Sequence, residues 1–268
     1  MQSTRPPAVA GMFYPADAAI LAGDIRTLLA GAAKSAVAPK ALIVPHAGYI
    51  YSGPVAAAAY ATLRTIADRI RRVVLLGPTH RVAVRGLALP EAQAFSTPLG
   101  DVPLDLDGMR RLAQLPQVSV SARAHAMEHS LEVQIPFLQA VLHDFTLLPL
   151  AVGSATKAEV AEVLEAVWGG PETLIVISSD LSHYLPYDMA RRVDSETSNG
   201  ILHMASDITH DHACGATPIN GLMLAAQRHH LRPHLLDLRN SGDTAGPREG
   251  VVGYAAFALV EEEEEAAP

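Results

Sequence analysis

The sequence predicts an α/β fold, a single domain whose mostly parallel central sheet is flanked by helices. Short aliphatic runs that are apolar on both faces are typical of parallel strands covered by helices on both sides. Helical patterns lie between these runs, and such alternation indicates strands that are connected through helices. The chain has 268 residues, of which 49% are apolar and 18% charged, so it is long enough to bury a large core.

Five segments are predicted to form strands because they are short, aliphatic and rich in β-branched residues. They are Ala41–Val44, Val73–Leu76, Phe145–Leu148, Leu174–Ile177 and Val251–Leu259. A helix is predicted to open at Pro54, since Pro suits a first helical position and an Ala-rich run follows it. An apolar stripe predicts a second helix over 131–142, in which Pro136 should produce a kink.

Two further helix starts are marked by capping residues. Thr156 and Glu159 have the spacing of a capping box, which predicts a helix that runs to Trp168. Thr217 followed by Pro218 predicts the start of another helix. The predicted domain covers 1–260, and the run of glutamates at 261–268 is expected to be a disordered acidic tail because like charges repel there.

Composition excludes several classes of protein. The chain has 20 basic and 28 acidic residues, a net charge of −8, which argues against binding to nucleic acid or to an anionic membrane. Cys214 is the single cysteine, so an intrachain disulfide is impossible. The first residues lack the apolar core of a signal peptide, and the longest apolar stretch, 250–260, is too short to span a bilayer. We therefore expect a cytoplasmic protein.

Polar residues that could take part in catalysis or bind a metal follow three of the predicted strands. His46, His80 and the pair Asp180 and His183 come shortly after strand ends. Because parallel strands end on one edge of a sheet and ligands bind outside those ends, these side chains are expected to share one crevice. Glu128 and His129, at the start of the kinked helix, lie between them in sequence.

The histidine-rich crevice favours a metal site over other chemistry. Two imidazoles with one anionic ligand leave positions open for water, O₂ or substrate, as in non-haem iron sites. Cys214 with a histidine and Asp180 would also make a nucleophilic triad. A helix that begins three residues after Cys214 would lower the pKa of its thiol and favour the thiolate.

Six motifs, in this order and spacing, resemble the Memo family, also known in bacteria as AmmeMemoRadiSam system protein B. They are Gly11-Met12-Phe13-Tyr14-Pro15, Pro45-His46-Ala47-Gly48-Tyr49-Ile50-Tyr51-Ser52-Gly53, Gly77-Pro78-Thr79-His80, Glu128-His129-Ser130, Ser178-Ser179-Asp180-Leu181-Ser182-His183 and Cys214-Gly215 with Pro218-Ile219. The resemblance implies a fold like that of the class III extradiol dioxygenases, which open catechol rings with non-haem Fe(II). It also implies a metal site of His46, His80 and Cys214. Asp180 and His183 would lie in the same pocket, with Glu128 and His129 close by.

The resemblance carries further expectations about function and partners. Animal members are associated with copper or iron, with redox activity and with signalling receptors, whereas bacterial members are encoded beside radical-SAM and AMMECR-type proteins. Tyr51 and Phe13 would form the aromatic pair at the pocket mouth, but animal members usually have Trp where Phe13 stands. Cys214 replaces the carboxylate ligand of the dioxygenases, and a thiolate favours Cu(I), Zn or Fe in a different electronic state.

The leading prediction is a metal-dependent redox protein with one iron or copper ion, zinc being a third possibility. His183 is expected to be the general acid or base, because an imidazole exchanges protons near neutral pH. Asp180 would orient that ring or hold water, and His129 would donate to bound oxygen or substrate, with Glu128 close by. Two alternatives stay open: a non-catalytic module that binds a peptide or partner in the cleft, and a zinc hydrolase.

Overall fold

A computed structural model describes residues 3–33 and 35–261 of the chain. The strands are β1 (Thr4–Arg5), β2 (Ala41–Val44), β3 (Arg72–Pro78), β4 (Leu87–Leu89), β5 (Ala94–Thr97), β6 (Gly100–Pro103), β7 (Val118–Val120), β8 (Thr146–Val152), β9 (Thr173–Ser178), β10 (His183–Leu185), β11 (Leu231–Asn240) and β12 (Val251–Glu261). The helices are α1 (Ala18–Gly31), α2 (Tyr49–Tyr60), α3 (Leu106–Leu112), α4 (Ala122–Ala126), α5 (His129–Glu132), α6 (Ile135–Val141), α7 (Lys157–Val167), α8 (Tyr187–Leu202) and α9 (Ala216–Arg228), with 3₁₀ helices at Ala61–Thr65 and Ser241–Asp243.

A large mixed sheet forms the centre of the molecule. Its strands follow the order β10-β12-β2-β9-β3-β8-β4-β7, and β11 pairs with β12. The four central strands, β2, β9, β3 and β8, are parallel to their neighbours, whereas β12 and β4 run antiparallel beside them. The predicted α/β class with a parallel centre is therefore confirmed. A small sheet of β1, β5 and β6 stands apart.

Helices cover both faces of the central strands. Leu42 and Val44 of β2 point into a core shared with α1, α2 and α6, while Ala41 and Ile43 point into a second core shared with α7 and α9. This alternation follows from the two-residue period of a strand. All four residues of β2 are buried, which explains why the strand reads as an uninterrupted apolar run.

One helix prediction is confirmed in detail and another in part. The capping box of Thr156 and Glu159 is present, and α7 runs from Lys157 to Val167. The predicted kink at Pro136 appears as a break between α5 and α6, with Pro136 in the first turn of α6. A proline is tolerated there because the first turn of a helix has no internal partner for its N–H.

Two predicted helix starts are wrong by a few residues. Helix α2 begins at Tyr49 rather than at Pro54, because the carbonyl of Gly48 already accepts hydrogen bonds from the backbone N–H groups of Tyr51 and Ser52. Pro54 therefore lies inside the helix. Helix α9 begins at Ala216, one residue before the predicted Thr217. Local sequence marks such helices well but places their ends less well.

The end of the chain differs slightly from the prediction. Glu261 is the last residue of β12 rather than the first of a tail, and the rest of the predicted tail, 262–268, lies outside the described residues. Within 3–33 and 35–261, no helix combines the length and the apolar character that crossing a membrane requires.

Candidate metal centre

The carboxyl ends of three parallel strands bring the predicted residues to one edge of the sheet. His46, His80 and Asp180 each stand two residues beyond the end of their strand, β2, β3 and β9 respectively. His129 opens α5, the short helix that lies against β3. The predicted convergence at the sheet edge is therefore present in the structure.

Three imidazoles meet at this edge. One ligand atom from each of His46, His80 and His129 lies within 4.8 Å of the others, so these side chains form a group that could hold a metal ion. The rings of His80 and His129 stack with centroids 4.6 Å apart, and the ring of His46 is nearly perpendicular to both. We call these three residues the histidine cluster.

His46 is buried and held at both its backbone and its ring. Its backbone N–H donates to Oδ1 of Asp180 at 2.7 Å, and its Nδ1 lies 2.9 Å from Oγ of Ser178. Burial, reinforced by the neighbouring His80, lowers the pKa of His46 to about 3. The ring is therefore neutral at physiological pH, which is the state that binds metals.

Glu128 anchors His80. Its carboxylate accepts a hydrogen bond from the backbone N–H of His80 at 2.6 Å and lies 2.9 Å from Nδ1 of the same residue. It also caps α5 by accepting from the backbone N–H groups of His129 and Ser130. Burial by itself would raise the pKa of Glu128, but the hydrogen bonds and charge of His80 outweigh it and hold the pKa at about 2. A carboxylate behind a ligating imidazole is the usual support of a metal site.

His129 is positioned by packing rather than by a hydrogen bond at its ring. Its Nδ1 lies 3.4 Å from Oε1 of Glu128, and its ring sits between those of Phe13 and His80. Burial, together with the neighbouring His46, lowers the pKa of His129 to about 4. His129 is thus a neutral imidazole beside two anchored ones.

Cys214 lies beside His46, but among the described residues it does not belong to the group of three side chains whose ligand atoms lie close enough together to hold a metal ion. Its sulfur is 3.4 Å from Nε2 of His46 and 3.6 Å from the backbone carbonyl oxygen of Asp180. The predicted lowering of the thiol pKa is wrong: burial, together with the charge of Asp180, raises it to about 12. The N–H of Gly215, which precedes α9, donates to Oγ of Ser179, and the lowering effect of this N–H on the thiol pKa is smaller than the effect of burial.

The two other polar residues predicted for the pocket lie at different depths. Asp180 is buried, and burial raises its pKa although its carboxylate accepts from the backbone N–H of His46. His183 begins β10, is exposed, and interacts electrostatically with Asp180 and His46. Asp180 therefore supports the backbone at His46, whereas His183 is exposed to solvent.

The two residues of the predicted aromatic pair lie in different surroundings: Phe13 contacts the histidine cluster, and Tyr51 is exposed. The ring of Phe13 packs on His129 at a centroid distance of 4.8 Å. Tyr51, in the first turn of α2, is 38% exposed.

Sequence reasoning missed the polar residues that support the cluster from behind. Ser178, Ser130 and Gln134 are buried and form hydrogen bonds to one another just below His46. Ser130 and Ser178 belong to the family motifs but were assigned no role, and Gln134 lies outside the motifs.

Comparisons with known proteins identify the family of the chain. The model of the family described as Memo-like protein matches residues 5–258. A MEMO1 family protein of Aquifex aeolicus is 36% identical over 264 residues, covering 93% of this chain and 97% of the relative. One of Methanosarcina acetivorans is 37% identical over 270 residues, covering 94% and 98%.

A solved structure shares the fold. It is the crystal structure of an uncharacterized protein from Escherichia coli K12, 16% identical, with a TM-score of 0.55 over 82% of this chain and 98% of that chain. At this identity the likeness concerns the fold alone. The family match extends over nearly the whole chain, and the relatives are more than a third identical to it. The chain therefore belongs to the Memo family.

Proposed function

We propose that this chain is a metal-dependent redox protein that holds one iron or copper ion between His46, His80 and Cys214. The observation that carries the proposal is the convergence of two imidazoles, each anchored through Nδ1, with the only sulfhydryl of the chain 3.4 Å from Nε2 of His46. Anchoring one ring nitrogen directs the other towards a shared ion, as in known metal sites.

The donor set fits a transition metal. Ligand bonds of about 2.0 Å to nitrogen and 2.3 Å to sulfur in a tetrahedral site place the two donors about 3.5 Å apart, close to the 3.4 Å observed between His46 and Cys214. Imidazole and thiolate together suit iron, copper or zinc rather than magnesium or calcium. His129 is the other candidate for the third ligand, because it belongs to the histidine cluster.

The side chains around the ion would have different roles. The ion would supply electron transfer and a binding position for O₂ or substrate. His129, a neutral imidazole in the histidine cluster, would donate a hydrogen bond to bound oxygen or substrate beside that position. His183, which is exposed, would be the general acid or base. Glu128 accepts four N–H hydrogen bonds and acts as a positioning residue.

Metal analysis of protein purified without an affinity tag tests the binding site. After loading with Fe(II), Cu(I) or Zn(II), the wild type should retain about one ion, and His46→Ala and Cys214→Ser should retain less. His143→Ala is the matched control, because His143 is exposed and pairs with Asp68 rather than with the cluster. Equal and negligible metal in every variant would refute the proposal.

Oxygen uptake tests the reaction class. The metal-loaded protein is incubated with a panel of catechols under O₂, and we expect uptake that falls in His183→Ala while the metal content stays unchanged. Conversion of a substrate that persists when oxygen is excluded would instead favour the zinc hydrolase. No uptake with any substrate and full metal occupancy would favour a binding role.

The second candidate, a binding module, is favoured by exposed apolar side chains on the segments that carry site residues. Five exposed large apolar residues are sequence neighbours of site residues: Met12, Ile50, Tyr51, Met127 and Tyr184. Tyr184 is 79% exposed and has a φ of 60°, a strained conformation of the kind that collects at functional sites. Association with AMMECR-type and radical-SAM proteins stays a prediction of the resemblance.

A further inference from the structure

Ser178 connects the histidine cluster to a buried polar network. This residue is the last of β9, and its side chain is fully buried. Its Oγ lies 2.9 Å from Nδ1 of His46, 2.7 Å from Nε2 of Gln134 and 2.6 Å from the carbonyl oxygen of Ser130. Three polar atoms thus surround a hydroxyl group that has a single hydrogen to donate.

The surrounding groups decide where that hydrogen goes. The carbonyl oxygen of Ser130 can only accept, so the hydrogen of Ser178 is directed to it. Gln134 cannot take it, because its amide nitrogen is the atom that faces Ser178. This orientation of Gln134 is fixed at both ends: Nε2 donates to the carbonyl oxygen of Pro45 at 2.9 Å, and Oε1 accepts from the hydroxyl of Tyr60 at 2.8 Å.

With its hydrogen engaged, Ser178 can only accept from His46. We propose that Ser178 is a positioning residue that fixes His46 in the tautomer with hydrogen on Nδ1. The lone pair of Nε2 then points away from Ser178, towards the sulfur of Cys214. The assignment of the tautomer stands on the metal-free network alone, and its consequence for metal binding rests on the function proposed above.

The two anchored imidazoles are supported in chemically different ways. His80 is held by the carboxylate of Glu128, which accepts whatever the ring donates. His46 is held by a neutral hydroxyl group, which would donate or accept equally well in isolation. The hydroxyl group and the backbone of Ser178 both interact with the ring of His46, and the orientation of the hydroxyl depends on Ser130 and Gln134, both of which are buried.

The tautomer can be measured without any metal. Long-range ¹H–¹⁵N correlation spectra of the metal-free protein distinguish a protonated ring nitrogen from an unprotonated one. In the wild type we expect the hydrogen of His46 on Nδ1, and in Ser178→Ala a shift of the population towards the form with hydrogen on Nε2. Ser178→Thr, which keeps the hydroxyl, should keep the wild-type spectrum. A hydrogen on Nε2 in the wild type, or an unchanged tautomer in Ser178→Ala, would overturn the inference.

Metal affinity gives the functional consequence. In competition between the protein and a chromophoric chelator for Zn(II), Ser178→Ala should bind about 10- to 100-fold more weakly, the usual effect of removing the support of a metal-binding imidazole. Ser198→Ala is the matched control, since this buried hydroxyl has no partner among the described residues. Unchanged affinity in Ser178→Ala would overturn the positioning role.

The two proposals fail in different ways. If the wild type binds no metal while its spectrum shows hydrogen on Nδ1 of His46, the metal-dependent function fails and the tautomer assignment stands. If Ser178→Ala does not fold, the wild-type spectrum and the Ser178→Thr variant still decide the assignment.

Discussion

The sulfur of Cys214 lies 3.4 Å from Nε2 of His46, although 168 positions separate the two residues in the chain. The contact forms because His46 follows β2, Cys214 precedes α9, and Asp180 lies between them: its carboxylate accepts from the backbone of His46, and its carbonyl oxygen accepts from the backbone N–H of Cys214. A thiol beside an unprotonated ring nitrogen is a hydrogen-bonded pair in the metal-free protein and a pair of ligands when an ion is bound.

The first prediction concerns the protons released when metal binds. The pKa of Cys214 is raised to about 12 by burial and by Asp180, so the thiol is protonated at pH 7 and must lose its proton to bind an ion. His46 and His129 have pKa values of about 3 and 4 and are already neutral. We expect one more proton released per ion in the wild type than in Cys214→Ser, measured by calorimetry in buffers of different ionisation enthalpy.

The same measurement discriminates between the two candidate third ligands. If sulfur is a ligand, the ratio of the apparent affinities of wild type and Cys214→Ser should fall about tenfold for each unit by which the pH is lowered from 8, because protons compete with the ion for the thiolate. If His129 completes the site instead, the two proteins should release the same number of protons, and His129→Ala should be the variant that loses the ion.

The second prediction concerns Glu128. Replacing it with glutamine removes the charge that holds Nδ1 of His80 and puts N–H donors against the backbone N–H groups at the start of α5. We expect metal binding to weaken about 10- to 100-fold. Asp17→Asn is the matched control, because Asp17 also caps a helix through two backbone N–H groups but lies in an exposed position on α1.

Glu128 should also make stability depend on acidity. Its pKa in the folded protein, about 2, is below the ordinary value of 4.5, so the ionised carboxylate stabilises the fold. This contribution is fully present above about pH 4.5 and is lost as the pH falls towards 2. The difference in unfolding free energy between wild type and Glu128→Gln should therefore shrink over that range. Urea unfolding of both proteins at a series of pH values measures it. A constant difference would contradict the assigned role.

The third prediction concerns Gly215, which allows Cys214 to approach His46. A Cβ at this position would lie 2.6 Å from Cβ of Ser179 and 2.9 Å from the carbonyl oxygen of Ser178. Gly215→Ala should therefore displace the Cys214 segment, lower the free energy of unfolding by about 1–3 kcal/mol, and reduce the metal content.

Gly23→Ala provides the control for Gly215→Ala. Gly23 lies within α1, and an added Cβ would meet nothing within 4 Å. Alanine is the better helix former, so this variant should be as stable as the wild type or more stable by up to about 1 kcal/mol. Equal behaviour of the two variants in thermal unfolding would contradict the steric explanation.

The fourth prediction concerns the buried ion pair of Arg5 and Glu132. The carboxylate of Glu132 also accepts from the backbone N–H groups of Ala8 and Val9, and Arg5 donates to the carbonyl oxygen of Glu128 at 2.7 Å. This pair ties the N-terminal segment, which carries Phe13, to the helix that carries His129. Arg5→Met should cost about 3–5 kcal/mol of unfolding free energy, because it leaves a buried charge without its partner.

The surface pair of Arg110 and Asp107 provides the comparison. Its side chains are 71% and 82% exposed, so Arg110→Met should change stability by less than about 1 kcal/mol. Chemical denaturation of both variants measures the difference. A cost below about 1 kcal/mol for Arg5→Met would show that the buried pair contributes no more than an exposed one.

The positions of the strands and of most site residues could be predicted from the chain. The central strands are apolar on both faces, and His46, His80 and Asp180 follow them at a constant spacing, so the rule for parallel sheets placed them together. Helix ends were less certain, as at Pro54: a proline usually marks the first turn of a helix, but this one is half-buried and lies five residues after the start of α2.

The sequence by itself determined the α/β class and the edge of the sheet at which the functional residues lie, because these depend on local periodicity and on parallel strands ending at one edge. The family motifs are also properties of the sequence alone. Only the tertiary structure decided that His129 joins the other two imidazoles, that Glu128 and Ser178 hold the rings, and that the thiol of Cys214 is protonated. These properties arise from burial and from hydrogen bonds between segments far apart in the chain, and no local pattern encodes them.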